Sequence, residues 1–112
     1  MESRLIYISN EKMRANLKWL NEDEDLGWIY CGAGDEVKKE FVQNIINEHF
    51  TENELYVAHE RNNSFQTTKE NVIAAINNIL GKENFAIWNK SFDKVVDFNK
   101  IGVLRQGKKP DS

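Results

Sequence analysis

Three short apolar segments stand close together in the last third of the chain, and their spacing restricts the fold more than any other feature. Residues 85–88 (FAIW), 94–98 (KVVDF) and 101–104 (IGVL) are rich in the β-branched and aromatic residues that favour strands. The connections between them hold only five and two residues. Because a parallel crossover needs about a dozen residues or more, these strands are predicted to be antiparallel.

The rest of the chain predicts three more strands and three helices. The strands are expected at residues 4–8, 26–31 and 54–59. The helices are expected where apolar residues recur at helical spacing, at residues 13–20, 37–46 and 72–80. Gly81 is placed to end the last helix. The predicted order β-α-β-α-β-α-β-β-β indicates an α+β fold, with a mixed or antiparallel sheet of five to six strands and about three helices packed on it.

Length and composition indicate one domain. The chain has 112 residues, of which 40% are hydrophobic, so it is long enough to bury a core. The domain is expected to span residues 1–107. Residues 108–112 (KKPDS), which contain the single proline, are expected to form a flexible polar tail.

Charge and cysteine content argue against several classes of partner and compartment. The net charge of -3 disfavours binding to nucleic-acid phosphates, so no nucleic-acid partner is predicted. A single cysteine, Cys31, cannot form an intrachain disulfide, which is typical of a reducing compartment. No signal peptide and no apolar run of membrane-spanning length are visible. We therefore expect a cytoplasmic protein without a membrane partner.

No reactive centre is predicted from the motifs. Residues 31–35 (CGAGD) resemble a nucleotide-binding turn but lack its third glycine, so no cofactor is expected. Two histidines and one cysteine are too few for a zinc site of the usual composition, and no metal is expected. The enzyme alternative would use Cys31, His59 and Glu60, provided that folding brings a base to the thiol. We predict a protein without catalytic residues.

Four adjacent carboxylates form the most unusual local feature. Glu22, Asp23, Glu24 and Asp25 either make a solvated loop or attract a basic protein through clustered charge. Trp19 precedes them and lies outside the apolar stripe of its predicted helix, so it is a candidate interface anchor or an edge-of-core residue. The predicted partner-binding residues are these five and three carboxylates that folding could add to the patch: Glu52, Glu54 and Glu60.

The segment 84–108 (NFAIWNKSFDKVVDFNKIGVLRQGK) resembles the C-terminal hairpin of several small bacterial families. The resemblance rests on alternating aromatic and aliphatic residues, on Asp93 and Asp97, and on the Ile101-Gly-Val tripeptide, over about a quarter of the chain. Some of these families are similar to immunity proteins, the intracellular antidotes encoded beside secreted toxins. The resemblance implies a small acidic protein that binds one toxin domain tightly and has no activity of its own.

These observations favour a non-enzymatic protein-binding module, most concretely an immunity protein that neutralises a toxin with a basic surface. A phage-encoded inhibitor or adaptor of a host protein would use the same mode of binding with a different partner. The partner's identity and the oligomeric state stay open at this point.

Overall fold

A computed structural model describes residues 1–110 and shows an α+β domain, which confirms the predicted fold class. Seven strands form one sheet, one or two more than predicted. The helices are α1 (Ser3–Met13), α2 (Lys39–His49) and α3 (Val72–Ala75). The strands are β1 (Lys18–Trp19), β2 (Ile29–Tyr30), β3 (Glu54–Ala58), β4 (Phe65–Thr68), β5 (Phe85–Asn89), β6 (Lys94–Asn99) and β7 (Val103–Lys108).

The sheet has the strand order β1-β7-β6-β5-β3-β4, and β2 also pairs with the outer edge of β7. Every strand pairing within residues 1–110 is antiparallel. The predicted hairpins of the last third are confirmed: β5 pairs with β6, and β6 pairs with β7. The short connections explain this part of the topology, because neither leaves room for a crossover.

The sheet separates two hydrophobic clusters, because successive strand residues point to opposite faces. On one face Leu55 and Ile87 belong to the cluster that includes buried residues of α2 and α3. On the other face Tyr56 and Trp88 belong to the cluster that includes Ile6 of α1. Helices therefore cover both faces of the sheet: α2 and α3 lie on one face, and α1 lies on the other.

The predicted first strand at residues 4–8 is wrong, because these residues lie in α1. The side chains of Ile6 and Asn10 are buried and that of Met13 is half-buried, at the i, i+4, i+7 spacing of one helical face. A polar residue in the middle of this stripe conceals the helical pattern. Packing on the sheet therefore overrides the local β propensity of the segment LIYI.

The predicted helix at residues 13–20 and the strand at 26–31 are also corrected. α1 ends at Met13, a short 3-10 turn follows, and Trp19 pairs with Gly107 of β7. In the next segment only Ile29 and Tyr30 pair with β7, because Leu26 and Gly27 have positive φ angles that interrupt an extended chain.

Of the third predicted helix, residues 72–80, only the first four residues form a regular helix, which is α3. The apolar stripe of residues 72–80 is nevertheless buried, with Val72, Ile76 and Leu80 all in the core. Beyond residue 75 the chain continues as turns, in which Asn77 and Asn78 stand at positions where asparagine competes with helical hydrogen bonding. The strand β4 was not predicted, since residues 67–70 had the pattern of a helix-capping box.

The segment predicted as a polar tail, residues 108–112, begins within the last strand. Lys108 is the last residue of β7, and the backbone N–H of Lys109 donates to the carbonyl oxygen of Asp93 at 2.8 Å. The last two residues of the predicted tail, 111–112, lie outside the described residues. Within residues 1–110, the structure contains no helix with the length and apolar character needed to cross a membrane.

His49 connects α2 to β7 and gives the fold a predicted pH dependence. Its side chain is buried, with Nε2 3.0 Å from the carbonyl oxygen of Gly107. Burial lowers the pKa of His49 below its ordinary value of 6.5, and the charge of Lys94 lowers it further, against a raising effect of backbone hydrogen bonds. The folded state therefore disfavours the imidazolium relative to the unfolded state.

Stability is expected to fall as the pH drops through about 6.5, because the unfolded chain then binds the proton more readily. The stability is unaffected by this group above that pH. Below it, the loss in the free energy of unfolding reaches at most about 1.4 kcal/mol for each unit by which the pKa of His49 differs between the folded and unfolded states. Urea unfolding at about pH 7.5 and about pH 5.5 checks this. In His49→Gln, whose amide still donates to Gly107, the difference between the two pH values should shrink; an unchanged difference would assign it to other groups.

Candidate functional site

The acidic loop, residues 21–25, joins β1 to β2 along the outer edge of β7, and all five of its residues are exposed. Backbone hydrogen bonds fix its shape: the N–H of Gly27 donates to Glu24 at 2.8 Å, and that of Leu20 donates to Gln106 at 2.8 Å. The four predicted carboxylates therefore lie together on one well-defined, solvent-facing segment at the edge of the sheet.

Large apolar side chains are exposed directly beside this loop. Leu26 and Ile101 are each 68% exposed, far more than is usual for such residues, and Trp28 and Val103 are half-buried next to them. These four residues, which we call the edge patch, line an open groove of about 470 Å³ together with Asp25 and Asn99. The acidic loop thus borders an apolar groove through Asp25.

Trp19, for which the sequence left an interface anchor and an edge-of-core residue open, packs at the margin of the cluster beneath α1. It is half-buried and lies against Gly107, where a Cβ atom would come within 2.8 Å of the indole ring. The guanidinium of Arg105 covers the same ring at 3.6 Å from its centroid. Trp28 is half-buried as well, and it forms part of the wall of the groove.

The other predicted carboxylates do not extend the acidic loop. Glu54 begins β3, which β5 and β6 separate from β7, and its carboxylate pairs with Lys90 at 2.9 Å. Glu52 lies just before that strand and accepts a hydrogen bond from Thr51. Glu60 follows the opposite end of β3. The three residues therefore occupy two separate places, both remote from residues 21–25.

A buried ion cluster lies behind the edge patch. Oδ2 of Asp97 is 3.1 Å from Nη2 of Arg14 and 3.4 Å from Nε of Arg105, and Asp97 is only 5% exposed. The guanidinium of Arg105 stacks between the rings of Trp19 and Trp28, at 3.6 and 4.3 Å from their centroids. These contacts hold Trp28 in place, because a guanidinium on an aromatic face is attracted by the ring quadrupole.

A second, more polar cavity of about 350 Å³ opens on the same face as α1. Trp28 and Asn99 line both this cavity and the apolar groove, so the two concavities adjoin. The polar cavity is also lined by the ion cluster, by residues of α1 and by His59 and Asn84.

Of the three residues of the enzyme alternative, Cys31 lies apart from the other two. Cys31 lies in the core on the α2/α3 face, and burial raises the pKa of its thiol, which disfavours a thiolate nucleophile. Cys31 lies beside β7, whereas His59 follows β3. These two strands are three interstrand spacings apart, and each spacing is about 4.8 Å. His59 and Glu60 instead meet Glu83, a residue that the sequence analysis did not select.

Sequence reasoning missed two kinds of site residue. Leu26 and Ile101 were assigned to strands, and only their position beside Gly27 and Gly102 could have indicated turns that expose them. Arg105 was not selected either, because its partner Asp97 lies on the neighbouring strand and is brought opposite it only by the fold. No protein-family model, curated protein or solved structure matches the chain.

Proposed function

We propose that the chain is a protein-binding module, most concretely an immunity protein, which binds a basic toxin domain through the acidic loop and the edge patch. The observation that carries the proposal is the contiguity of two exposed apolar residues, Leu26 and Ile101, with four exposed carboxylates. Interfaces of tight complexes combine an apolar centre with a polar rim, and this surface offers both.

The apolar part would supply most of the binding energy. Leu26 and Ile101 project beside a groove, and the half-buried Trp28 forms part of its wall. Hot spots of interfaces are enriched in tryptophan, tyrosine and arginine in fully desolvated pockets, so Trp28 is the expected centre, with Leu26 and Ile101 excluding water around it. Arg105 and Asp97 fix Trp28 from behind, so little side-chain entropy would be lost when a partner covers it.

The backbone of the loop supports the same assignment. Asp25 and Leu26 have φ angles of 49° and 57°, which non-glycine residues rarely adopt, and Gly27 follows at 86°. Residues held in such conformations cost about 1–3 kcal/mol each and cluster at functional sites. The turn leaves the side chain of Leu26 exposed, although burying it would have stabilised the fold. An apolar side chain exposed in this way is typical of a binding surface.

The carboxylates determine what kind of partner fits. Four adjacent acids without a basic residue among them accelerate the approach of a positively charged surface and disfavour an acidic one. The fitting partner is therefore a basic protein domain with an apolar projection that enters the groove. For an immunity protein, that domain is the toxin encoded by the neighbouring gene; an unrelated neighbour would favour the inhibitor or adaptor alternative.

The test is calorimetric titration with the toxin domain encoded beside the gene. We expect a 1:1 complex with a Kd in the nanomolar range or tighter that weakens as ionic strength rises. Leu26→Asp combined with Ile101→Asp should weaken binding at least about a hundredfold, because it puts charges at the apolar centre. Neutralising Glu22, Asp23, Glu24 and Asp25 to their amides should weaken it at least about tenfold.

The matched control neutralises four exposed glutamates elsewhere, and so makes the same change in net charge. The control residues are Glu40, Glu48, Glu52 and Glu54. Their amides should leave the Kd within about threefold of the unmodified chain, since long-range charge is screened beyond about 10 Å. Equal losses in both quadruple variants, or no loss in the acidic-loop variant, would remove residues 22–25 from the interface.

A further inference from the structure

His59, Glu60 and Glu83 form a compact group of potential metal ligands, away from the acidic loop. Nε2 of His59 lies 3.1 Å from Oε1 of Glu83 and 3.9 Å from Oε1 of Glu60. The three ligand atoms all lie within 4.8 Å of one another. The imidazole is about nine-tenths buried, and both carboxylates are about half exposed, so the group is reachable from solvent.

The fold brings the three residues together from two segments. His59 and Glu60 follow β3, and Glu83 lies in the loop before β5, the strand paired with β3. The turn after β3 is held by Ser64, whose Oγ accepts from the N–H of His59 at 3.1 Å and donates to the carbonyl of Glu60 at 2.8 Å. The group is therefore positioned by backbone contacts and not only by its own side chains.

The carboxylate of Glu60 is also oriented. Nδ2 of Asn63 donates to its Oε2 at 2.9 Å, which leaves Oε1 as the oxygen nearer to His59. Hydrogen bonds of this kind, which fix a ligand from outside the metal's own shell, are a regular feature of metal sites.

Without a cation, His59 forms a hydrogen bond with only one of the two carboxylates. Nε2 of an imidazole can donate one hydrogen bond, and the contact with Glu83 uses it; at 3.9 Å, Glu60 is too far away for another. The two carboxylates repel each other at this separation. A divalent cation between the three ligand atoms would attract both carboxylates and the imidazole nitrogen, and would thereby offset the repulsion between the carboxylates.

The spacing suits a small transition-metal ion. Zinc binds imidazole nitrogen and carboxylate oxygen at about 2.0–2.2 Å, so tetrahedral ligand atoms lie about 3.3 Å apart. The observed 3.1 and 3.9 Å bracket that value. An imidazole ligand favours the zinc group of metals over calcium or magnesium, which take oxygen ligands.

We propose that His59, Glu60 and Glu83 bind one divalent transition-metal ion of the zinc class, with water in the fourth position. The ion links the turn after β3 to the loop before β5. The site does not require the proposed toxin partner, although His59 lines the same polar cavity as Trp28 of the edge patch; β5 and β6 lie between β3 and β7.

The experiment titrates zinc chloride into the tag-free chain by calorimetry and follows thermal unfolding with and without zinc. One ion should bind per chain and raise the Tm, because the folded state alone offers the assembled site. His59→Gln and Glu83→Gln should each weaken binding at least about tenfold and abolish the Tm rise. In Glu83→Gln the amide oxygen still accepts the hydrogen bond of His59, so the variant tests the negative charge and not the fold.

Glu52→Gln is the matched control, since it removes one exposed carboxylate just before the other end of β3. Its zinc affinity should equal that of the unmodified chain. Failure of zinc and cobalt to bind the unmodified chain overturns the proposal. So does binding that survives both His59→Gln and Glu83→Gln, which would assign the ion to another group such as the acidic loop.

Discussion

Replacing Trp88 with alanine is expected to lower the free energy of unfolding by about 3–5 kcal/mol. Trp88 is fully buried and heads the largest buried side chains of the chain. Its ring lies 5.4 Å from that of Phe92, and it forms the centre of the cluster beneath α1. Alanine would leave a large cavity and an unpaired amide oxygen on Asn10, which accepts from Nε1 of Trp88 at 2.8 Å. Urea unfolding monitored by circular dichroism measures the loss.

Two further variants separate packing from hydrogen bonding. Trp88→Phe keeps an aromatic ring but leaves the buried Asn10 oxygen unpaired, at a cost of about 1–3 kcal/mol beyond the loss of volume. Combining it with Asn10→Leu removes both polar partners, and the double variant should be more stable than the sum of the two single effects predicts, by at least about 0.5 kcal/mol. Additive effects would show that the bond contributes nothing. Ser91→Ala, at an exposed turn, should change stability by less than about 0.5 kcal/mol.

The pair formed by Trp88 and Asn10 also explains why the N-terminal helix could not be predicted. Helical periodicity is recognised by apolar residues at i, i+4 and i+7, and Asn10 replaces the middle one. Its partner is 78 residues away in the sequence, so nothing local marks this asparagine as buried. The adjacent LIYI segment carries a β propensity that is real but is outweighed by packing against the sheet.

The C-terminal hairpins, by contrast, were predictable because their determinants are local. Tight connections force neighbouring strands to be antiparallel. The continuous apolar run from Phe85 to Trp88 is typical of a strand buried on both faces, and its residues enter the two clusters in turn. The candidate site was predictable only in part. The exposure of residues 22–25 follows from their charge. The groove beside them depends on the positive φ at Leu26 and on the pairing of β2 with β7, both of which arise only in the folded chain.

The ion cluster of Asp97 shows how a residue behind a surface can support it. Asp97 and Arg105 are direct cross-strand partners on β6 and β7, and Arg14 reaches the same carboxylate oxygen from the turn after α1. One buried carboxylate thus joins the α1 segment to the edge of the sheet. It also holds Arg105 between Trp19 and Trp28, and thereby connects the cluster to the edge patch.

Replacing Asp97 with alanine is therefore expected to destabilise the domain by about 2–4 kcal/mol, because two guanidinium groups lose their common partner. The lower part of this range allows for Arg14, whose side chain is 36% exposed and is partly hydrated without the carboxylate. Asp97→Asn, which keeps an acceptor oxygen and the side-chain shape, should cost about half as much. Both losses are measured by urea unfolding at neutral pH.

Asp23→Ala is the control for the removal of an aspartate in general, since Asp23 is exposed in the acidic loop, and its effect should stay below about 0.5 kcal/mol. Asp97→Asn should also weaken the proposed binding of a toxin although Asp97 is buried, because Arg105 then holds Trp28 less firmly. Unchanged stability in Asp97→Ala would mean that the arginines are satisfied by solvent. The cluster would then have no part in fixing the edge patch, and the pre-organisation of Trp28 would have to come from its apolar neighbours alone.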